Sequence, residues 1–460
     1  MTPLSARSTA LWMCFAIGLL VRLAVLSQTS TLGAKIVDEQ QYTQIAENLR
    51  EGNGFAWGPG QLTSIRPPLY PGLLAATWTL TGGTNFQAVR IWQILLSLAT
   101  AALVYWLGAT LWNEQAGALA AAITWLYPSF ILYDSLILTE TLFTFLLVAF
   151  VAATVAVIQK PRASVAVACG VTLGLAALTR SVLWPLPLVL CPALLLMLDA
   201  PLIRRISLSA IVLLAYALVV GPWAVRNTRL QHVVTVVDTM GGMNLRMGNY
   251  EYTPDDRMWD AVSLRGEKNW VYGISNDLTG EVTEGQKEKW AQRKAIEYMR
   301  THPRETLRRS LIKFADLWGL EREFIAGVQQ GLYSPPLWFA VVASGAILIG
   351  YALLAITGAL GIWMAAPRDK RAHAILLLPV LVLVAAHTIV FGHSRYHLPL
   401  MPLLAVYAAA LATQLSAGVA WRRVIAIPGL ATAMILVAVW LRQMVVVDLP
   451  RISGLLARFR

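Results

Sequence analysis

Eleven long apolar runs dominate this sequence and constrain its fold more than any other feature. Each approaches the roughly 20 residues that an α-helix needs to cross a bilayer. Hydrophobic residues make up 57% of the 460 residues and charged residues only 13%, which excludes an ordinary soluble protein. We therefore predict an all-α polytopic membrane protein of about eleven transmembrane helices, near residues 9–28, 90–111, 115–132, 137–158, 163–179, 182–198, 206–224, 336–364, 373–391, 398–417 and 424–441.

The basic residues between these runs predict the orientation of the chain. If the N-terminus is cytoplasmic, the inner loops hold many cations and few acids, which is the positive-inside pattern of membrane proteins. The cations are Arg7, Lys160, Arg162, Arg204, Arg205, Arg368, Lys370, Arg371, Arg422 and Arg423, and the acids are Glu114, Asp199 and Asp369. The basic residues that give the chain its net charge of +12 therefore mainly set its orientation in the membrane.

Two long polar segments divide the chain into three predicted parts. The N-terminal transmembrane module, 1–225, includes a first extracytoplasmic loop at 29–88, and an extracytoplasmic insertion at 226–333 precedes the C-terminal transmembrane helices, 334–460. The insertion holds sixteen Lys/Arg and fifteen Asp/Glu. With almost no excess charge it has little to attract a polyanion, so we predict no nucleic-acid partner.

Local patterns predict structure within both polar segments. In the first loop, apolar residues recur at helical spacing from 38 to 50, and Gly52-Asn53-Gly54 ends the pattern. In the insertion, 233–237 is rich in valine and precedes the Gly241-Gly242 pair, which favours a short strand and a turn. The later part, 286–318, is rich in helix formers, so we predict a small mixed α/β domain.

A carboxylate pair, Asp38-Glu39, and a cation, Arg66, lie just outside the first span. A carboxylate can take the proton of an acceptor hydroxyl, and a cation can stabilise a phosphate leaving group. Adjacent residues on a helix diverge by about 100°, so the two carboxylates cannot share one role. We assign Asp38 as the base and Glu39 as a group that orients acceptor or sugar. The alternative is that Asp38 only caps the helix 39–50.

Six short motifs occur in a fixed order along the chain. They are Asp38-Glu39-x-x-Tyr42, Gly52-Asn53-Gly54-Phe55, Arg66-Pro67-Pro68-Leu69-Tyr70-Pro71, Gly221-Pro222-Trp223-Ala224-Val225-Arg226-Asn227, Gly241-Gly242-Met243-Asn244-Leu245 with Gly248-Asn249, and Arg395-Tyr396-His397-Leu398-Pro399. Together they resemble the dolichyl-phosphate-mannose protein mannosyltransferase superfamily, which includes bacterial aminoarabinose transferases. The resemblance implies the membrane fold called GT-C and an inverting glycosyltransferase that acts on the non-cytoplasmic face.

The resemblance also implies roles for individual residues. An acidic residue of the first external loop is catalytic in that family, and this position maps to Asp38. Arg66 stands where the aminoarabinose transferases have a lysine that contacts the carrier phosphate, and arginine offers a planar fork in its place. The further donor-binding or phosphate-binding candidates are Tyr42, Tyr70, Arg226, Arg395 and His397.

Several of these residues have other interpretations. Arg395 could extend toward lipid headgroups, and Arg226 could mark the membrane interface beside Trp223. His393 and His397 share one helical spacing but have no third ligand nearby in sequence, so we predict no metal site, although a divalent metal is not excluded.

Asp134 and Glu140 flank the predicted turn between the third and fourth spans. They are candidates for orienting the acceptor. Each could instead keep the turn in water.

These observations together predict a glycosyltransferase that uses a lipid-linked donor. The donor would be a sugar on an undecaprenyl-type or dolichyl-type polyprenyl phosphate, and the acceptor a hydroxyl on a protein or glycolipid. We expect a bacterial inner or plasma membrane, with the active site facing the periplasm or exterior. The rival functions are a lipid-linked sugar transporter or flippase and a non-catalytic assembly or sensor protein. A transporter would need polar residues at the centres of the spans, which are nearly free of charge, and a non-catalytic protein would not be expected to need Asp38 together with Arg66.

Overall fold

The structure is a computed structural model that describes residues 6–255, 258–418 and 427–449. Nineteen α-helices occur in these residues: α1 (Ala6–Gln28), α2 (Val37–Arg50), α3 (Leu69–Leu80), α4 (Phe86–Leu111), α5 (Glu114–Leu126), α6 (Pro128–Asp134), α7 (Glu140–Gln159), α8 (Ala163–Ala177), α9 (Pro187–Met197), α10 (Leu202–Gln231), α11 (Gly241–Gly248), α12 (Trp270–Asp277), α13 (Glu284–Thr301), α14 (Pro303–Leu317), α15 (Glu323–Gln329), α16 (Leu337–Met364), α17 (Lys370–Ile389), α18 (Met401–Ser416) and α19 (Ile427–Arg442).

Helices lie in all eleven of the apolar runs that were predicted as spans. Within the described residues, eight helices are long and apolar enough to cross a membrane: α1, α4, α7, α10, α16, α17, α18 with its preceding turn, and α19 with its continuation. A ninth candidate is the pair α5 and α6, which bends by 52° at its break. The bend follows from Pro128 at the start of α6, since the residue before a proline avoids the helical conformation. The shorter apolar helices α8 and α9 occupy the other two runs. The predicted all-α polytopic membrane fold is confirmed.

Helices α7 and α18 form the centre of the bundle. In the apolar 18-residue stretch of each span, 78% of the residues are buried inside the protein, against 11% for α1 and 22% for α16. The outer helices therefore turn their apolar side chains toward lipid. Close helix contacts need small residues: at Gly361 of α16, an added Cβ would lie 2.3 Å from the backbone oxygen of Tyr407 in α18.

The first external loop contains the predicted helix. Tyr42, Ile45 and Ala46 are buried on one face of α2, which packs against α3. The helix ends at Glu51, and Gly52 follows with a φ of +83°. That left-handed conformation suits glycine and lets the chain reverse direction. As a result, the start of α2 is held against the bundle.

The described part of the insertion is helical. The strand predicted at 233–237 is not formed, because its backbone pairs with side chains: the Val237 carbonyl accepts hydrogen bonds from Trp223 Nε1 and Asn227 Nδ2, both at 2.8 Å. The Gly241-Gly242 pair begins α11, so the predicted turn is not there either. The predicted helix 286–318 is present as α13 and α14, which meet at Pro303.

The insertion docks tightly on the end of α17. Lys313 of α14 is fully buried, and its Nζ donates to the Ile389 carbonyl at 2.7 Å and to Asn249 Oδ1 at 2.8 Å. Burial lowers the pKa of Lys313 to about 7, and neighbouring Arg309 adds to the effect. An added Cβ on Gly248 would lie 1.9 Å from the Val390 carbonyl oxygen. This seam fixes the loop that leads into Arg395.

Candidate active site

Asp38 lies in the first turn of α2 and bridges two arginines. Its Oδ1 accepts a hydrogen bond from Arg66 Nη2 at 2.6 Å, and its Oδ2 accepts one from Arg395 Nη2 at 2.8 Å. The side chain of Asp38 is 21% exposed and each guanidinium side chain 17%. The fold thus brings together two parts of the first loop and a turn more than 350 residues further along the chain.

Arg66 is held in place from the α2 side. Its Nε and Nη2 donate to Gln41 Oε1 at 2.8 and 2.5 Å, and its guanidinium lies 5.3 Å from the ring centroid of Tyr42. Gln41 was not among the predicted site residues, although it lies one turn after Asp38 on the same helix face. Charge-assisted bonds and ring contacts together orient this arginine toward the carboxylate.

A second carboxylate extends the cluster beyond Arg395. Glu140, the first residue of α7, accepts a hydrogen bond from Arg180 Nη2 at 2.7 Å, and the same oxygen, Oε1, forms an ion pair with Arg395 Nε at 2.8 Å. Arg180 Nε also donates to Thr139 Oγ1 at 3.0 Å. Glu140 is 1% exposed, and its Oε2 has no hydrogen-bond partner among the described residues.

We call Asp38, Arg66, Glu140, Arg180 and Arg395 the arginine–carboxylate cluster. Three guanidiniums face two carboxylates, so the formal charge of the cluster is +1 when both acids are ionised. Burial raises the pKa of Asp38, but Arg395 and Arg66 outweigh that effect and hold the pKa well below its usual range. Asp38 is therefore an anion at any physiological pH while both arginines contact it.

Aromatic side chains surround the cluster. The ring centroid of Tyr396 lies 5.7 Å from the guanidinium carbon of Arg395 and 5.6 Å from that of Arg180. Tyr42 packs edge-on against Tyr70 at 5.3 Å. The Tyr70 hydroxyl donates to Gln93 Oε1 at 2.8 Å and is fully buried. Of the two predicted donor-binding tyrosines, Tyr42 thus touches the cluster, whereas Tyr70 supports it from beneath.

Glu39 lies outside the cluster. Its Oε2 accepts the backbone N–H groups of Lys35 at 2.7 Å and Ile36 at 2.9 Å, and its Oε1 accepts that of Ile137 at 2.9 Å. The side chain caps the start of α2 and ties it to the segment before α7. The interpretation of Asp38 as a cap is wrong, because α2 begins at Val37 and Asp38 makes no capping bond.

Arg226 contacts the first loop, and its hydrogen bonds within the described residues go to groups other than the carboxylates of the cluster. Its Nη1 donates to the Thr63 carbonyl at 2.6 Å, its Nη2 donates to the Phe55 carbonyl at 3.2 Å, and its guanidinium lies 4.6 Å from the Trp223 ring. These bonds hold the tip of the loop against the outer end of α10.

His397 and Asp134 are buried in networks of their own. His397 Nδ1 lies 2.6 Å from the Leu317 carbonyl oxygen and its Nε2 lies 2.9 Å from Glu321 Oε1. Asp134 accepts from Arg22 Nε at 2.7 Å and from Ser97 Oγ at 2.6 Å. The structure therefore separates both residues from Asp38, while it brings Arg66, Arg395 and Glu140 to it.

One acid near Arg66 was missed at the sequence level. Asp238 accepts the backbone N–H of Met240 at 3.1 Å and pairs with the Ser181 side chain. Burial raises the pKa of Asp238 to about 6 even though Arg66 counteracts it. The sequence offered one signal for this acid, since Asp238 precedes the Gly241-Gly242 motif by three residues. We did not include Asp238 among the site residues because the valines before it favoured a strand.

A small cleft lies beside Arg395. Tyr133, Glu323, Phe324 and Ser394 are among its lining residues. Glu323 Oε1 also lies 3.3 Å from His393 Nε2. Within the part of the chain that the structure describes, no three His, Cys, Asp or Glu side chains are grouped so as to hold a metal ion.

Comparison with known proteins agrees with this architecture. Residues 65–225 match the family described as dolichyl-phosphate-mannose-protein mannosyltransferase. The oligosaccharyltransferase of Archaeoglobus fulgidus, in its apo form, is 13% identical, with a TM-score of 0.52 over 94% of this chain and 55% of that chain. The chain has the GT-C fold. A comparison with curated sequences found no match.

Two other GT-C structures align over most of their own length. ArnT from Cupriavidus metallidurans in the apo state is 17% identical, with a TM-score of 0.42 over 88% of this chain and 78% of that chain. The same protein bound to undecaprenyl phosphate is 15% identical, with a TM-score of 0.43 over 90% and 79%. The present chain spans little more than half of the archaeal oligosaccharyltransferase. The family match covers Arg66, Glu140 and Arg180 but ends before Arg395.

Proposed function

We propose that this membrane protein is an inverting glycosyltransferase. It moves a sugar from a polyprenyl-phosphate donor, of the undecaprenyl or dolichyl type, to a hydroxyl of a protein or glycolipid. The observation that carries the proposal is Asp38 held between Arg66 and Arg395 at the end of a GT-C bundle. The cluster combines a carboxylate that can take a proton with cations that can bind a phosphate.

The geometry supports a single displacement at the anomeric carbon. Asp38 accepts the proton of the acceptor hydroxyl as its oxygen attacks, and the bond between the anomeric carbon and the phosphate oxygen breaks. Arg66 and Arg395 stabilise the extra charge on the departing phosphate, because a guanidinium fork can bind two phosphate oxygens at once. Glu140 and Arg180 set the position of Arg395.

The position of the cluster along α7 supports a non-cytoplasmic active site. Helix α7 begins at Glu140 and ends at Gln159, and its 20 residues span about 30 Å, the thickness of the hydrocarbon core. Lys160 and Arg162 follow its far end. Since basic loops face the cytoplasm, the cluster lies on the opposite side, which we propose is the periplasm or exterior of a bacterial membrane.

A lipid-linked sugar transporter is less well supported. A transporter needs a polar path through the centre of the bundle, whereas the central helices α7 and α18 are lined mainly by buried apolar side chains. The cluster lies where helices begin: α2, α7 and the turn before α18. This placement favours chemistry at the membrane surface over passage through it.

Lipids that copurify with the protein test the proposed donor. Mass spectrometry of the extract should detect a polyprenyl phosphate, free or carrying a sugar, with the wild-type protein. The double variant Arg66→Ala/Arg395→Ala should lose it. Arg308→Ala is the matched control, since Arg308 is 47% exposed on the insertion. The proposal would be contradicted if all three proteins yielded the same bulk phospholipids and none of them yielded a polyprenyl phosphate.

A further inference from the structure

The two guanidiniums proposed to bind the carrier phosphate are already occupied. One oxygen of Asp38 bonds to Arg66 and the other to Arg395, at 2.6 and 2.8 Å. A phosphate offers the same kind of partner, two oxygens that can each face a guanidinium. Asp38 therefore lies between the arginines at the position that a phosphate anion would need.

The other contacts of the two arginines leave this position available to a ligand. Arg66 bonds to the neutral amide of Gln41, and Arg395 bonds through Nε to Glu140. Its Nη2 contacts Asp38. A phosphate that approaches the Nη2 groups of both arginines would displace Asp38 and leave the Gln41 and Glu140 contacts intact.

We propose that the carrier phosphate and Asp38 compete for Arg66 and Arg395, so that donor binding releases Asp38 to act as the base. This inference rests on the proposed function. It gives the donor control over the base. A carboxylate between two arginines is a poor proton acceptor, and it becomes a better one once a second anion shares those arginines.

The charge of the cluster stays balanced through the transfer. The bound donor is a phosphodiester with one negative charge, which matches the formal charge of +1 on the cluster. During the reaction, the acceptor O–H proton moves to Asp38, the acceptor oxygen bonds to the anomeric carbon, and the electron pair of the broken bond goes to the phosphate. Asp38 loses one negative charge as the carrier phosphate gains one. The arginines then face a dianion and a neutral acid until the proton leaves to water.

The alternative is that Asp38 is a permanent bridge that holds the arginines in place for a phosphate bound beside them. The two models predict opposite effects for Asp38→Asn. If Asp38 competes with the phosphate, its removal as an anion strengthens carrier binding. If Asp38 is a scaffold, the arginines lose their anchor and carrier binding weakens.

The test is the dissociation constant for undecaprenyl phosphate, measured with purified full-length protein in lipid nanodiscs. Asp38→Asn should bind this probe about three-fold to ten-fold more tightly than wild type, because the neutral amide competes less strongly than the carboxylate for the two guanidiniums. Adding Arg66→Gln to Asp38→Asn should remove the gain, as expected for residues that act on one another. Asp38→Ala provides a second variant if the amide disturbs folding.

Three results are decisive. Equal or weaker binding by folded Asp38→Asn and Asp38→Ala, with normal wild-type binding, would overturn the competition and leave the proposed function standing. No saturable binding by the wild type would instead refute the proposed donor. Inorganic phosphate at the same concentrations should not displace the lipid, and full displacement by it would show that the site recognises free phosphate rather than the carrier.

Discussion

The neighbouring carboxylates Asp38 and Glu39 should behave in opposite ways when each is changed to its amide. Glu39 is 2% exposed and accepts three backbone N–H groups, at 2.7, 2.9 and 2.9 Å. In Glu39→Gln, the new NH₂ group faces at least one of these donors, and that N–H loses its acceptor. Hydrogen bonds to a charged group are worth about 1.5–3 kcal/mol each, and a buried donor left unpaired costs about 1–3 kcal/mol.

These contributions do not add fully, so we expect Glu39→Gln to lower the free energy of unfolding by about 3–5 kcal/mol. The assay is thermal unfolding in detergent, followed by the loss of the monodisperse peak in size-exclusion chromatography. A fall in Tm of about 5 °C or more is expected. Asp38→Asn, the matched control, should lower the Tm by less, because Asp38 is 21% exposed and water can replace part of its contacts with the arginines. Glu39→Gln with an unchanged Tm and no transfer activity would refute this reasoning and support the predicted substrate-orienting role.

Three further predictions concern the phosphate, the insertion and the topology. Arg66→Ala should weaken binding of undecaprenyl phosphate by about tenfold or more and Arg66→Lys by less, because lysine keeps the charge without the fork; equal dissociation constants in both variants and wild type would remove Arg66 from the site. The pKa of Lys313, lowered to about 7 from an unfolded value of 10.5, means that its contribution to stability is present above pH 10.5 and is lost as the pH falls toward 7. The Tm of the wild type should therefore rise between pH 7 and 9, and Lys313→Met should flatten the rise; an identical slope in both proteins would contradict the assignment. In a cysteine-free background, Glu51→Cys and Glu281→Cys should react with an impermeant reagent added to intact cells and Arg204→Cys should not, whereas labelling of the last would reverse the proposed orientation.

The sequence predicted the membrane fold well because hydrophobic length is a local property. Each span can be recognised from about 20 consecutive residues without knowledge of its neighbours. The two shorter apolar helices, α8 and α9, still fall within predicted runs. The insertion was harder, because the valines at 233–237 favour a strand only if a partner strand exists. In the structure, the side chains of Trp223 and Asn227 donate hydrogen bonds to the Val237 carbonyl in place of a partner strand.

The site was predictable only in part. The motifs singled out Asp38, Arg66 and Arg395, and the structure brings these residues into one cluster. The separate roles of Asp38 and Glu39 followed from helix geometry, but the partners of Glu39 did not, since Ile137 is 98 residues away in sequence. Contacts at that separation depend on how the helices pack.

Arginines gave the least reliable predictions. Arg226 belongs to a sequence motif, and yet it binds the backbone of the first loop. Arg180 had none and lies in the cluster beside Glu140. A cation near the outer end of a span has the same sequence signature whether it binds a ligand, a lipid headgroup or a carbonyl. For Arg226, the packing of the first loop against α10 decides that the partner is a carbonyl.

The rate of sugar transfer by Asp38→Asn decides whether Asp38 is the base. The measurement is single-turnover transfer by the purified protein from a polyprenyl-phosphate sugar that the wild type accepts. We expect a folded variant that binds the carrier at least as tightly as wild type but transfers about 10²–10⁴ times more slowly, because the amide cannot take the acceptor proton. Transfer at a near-normal rate would contradict the assignment of Asp38 as the base.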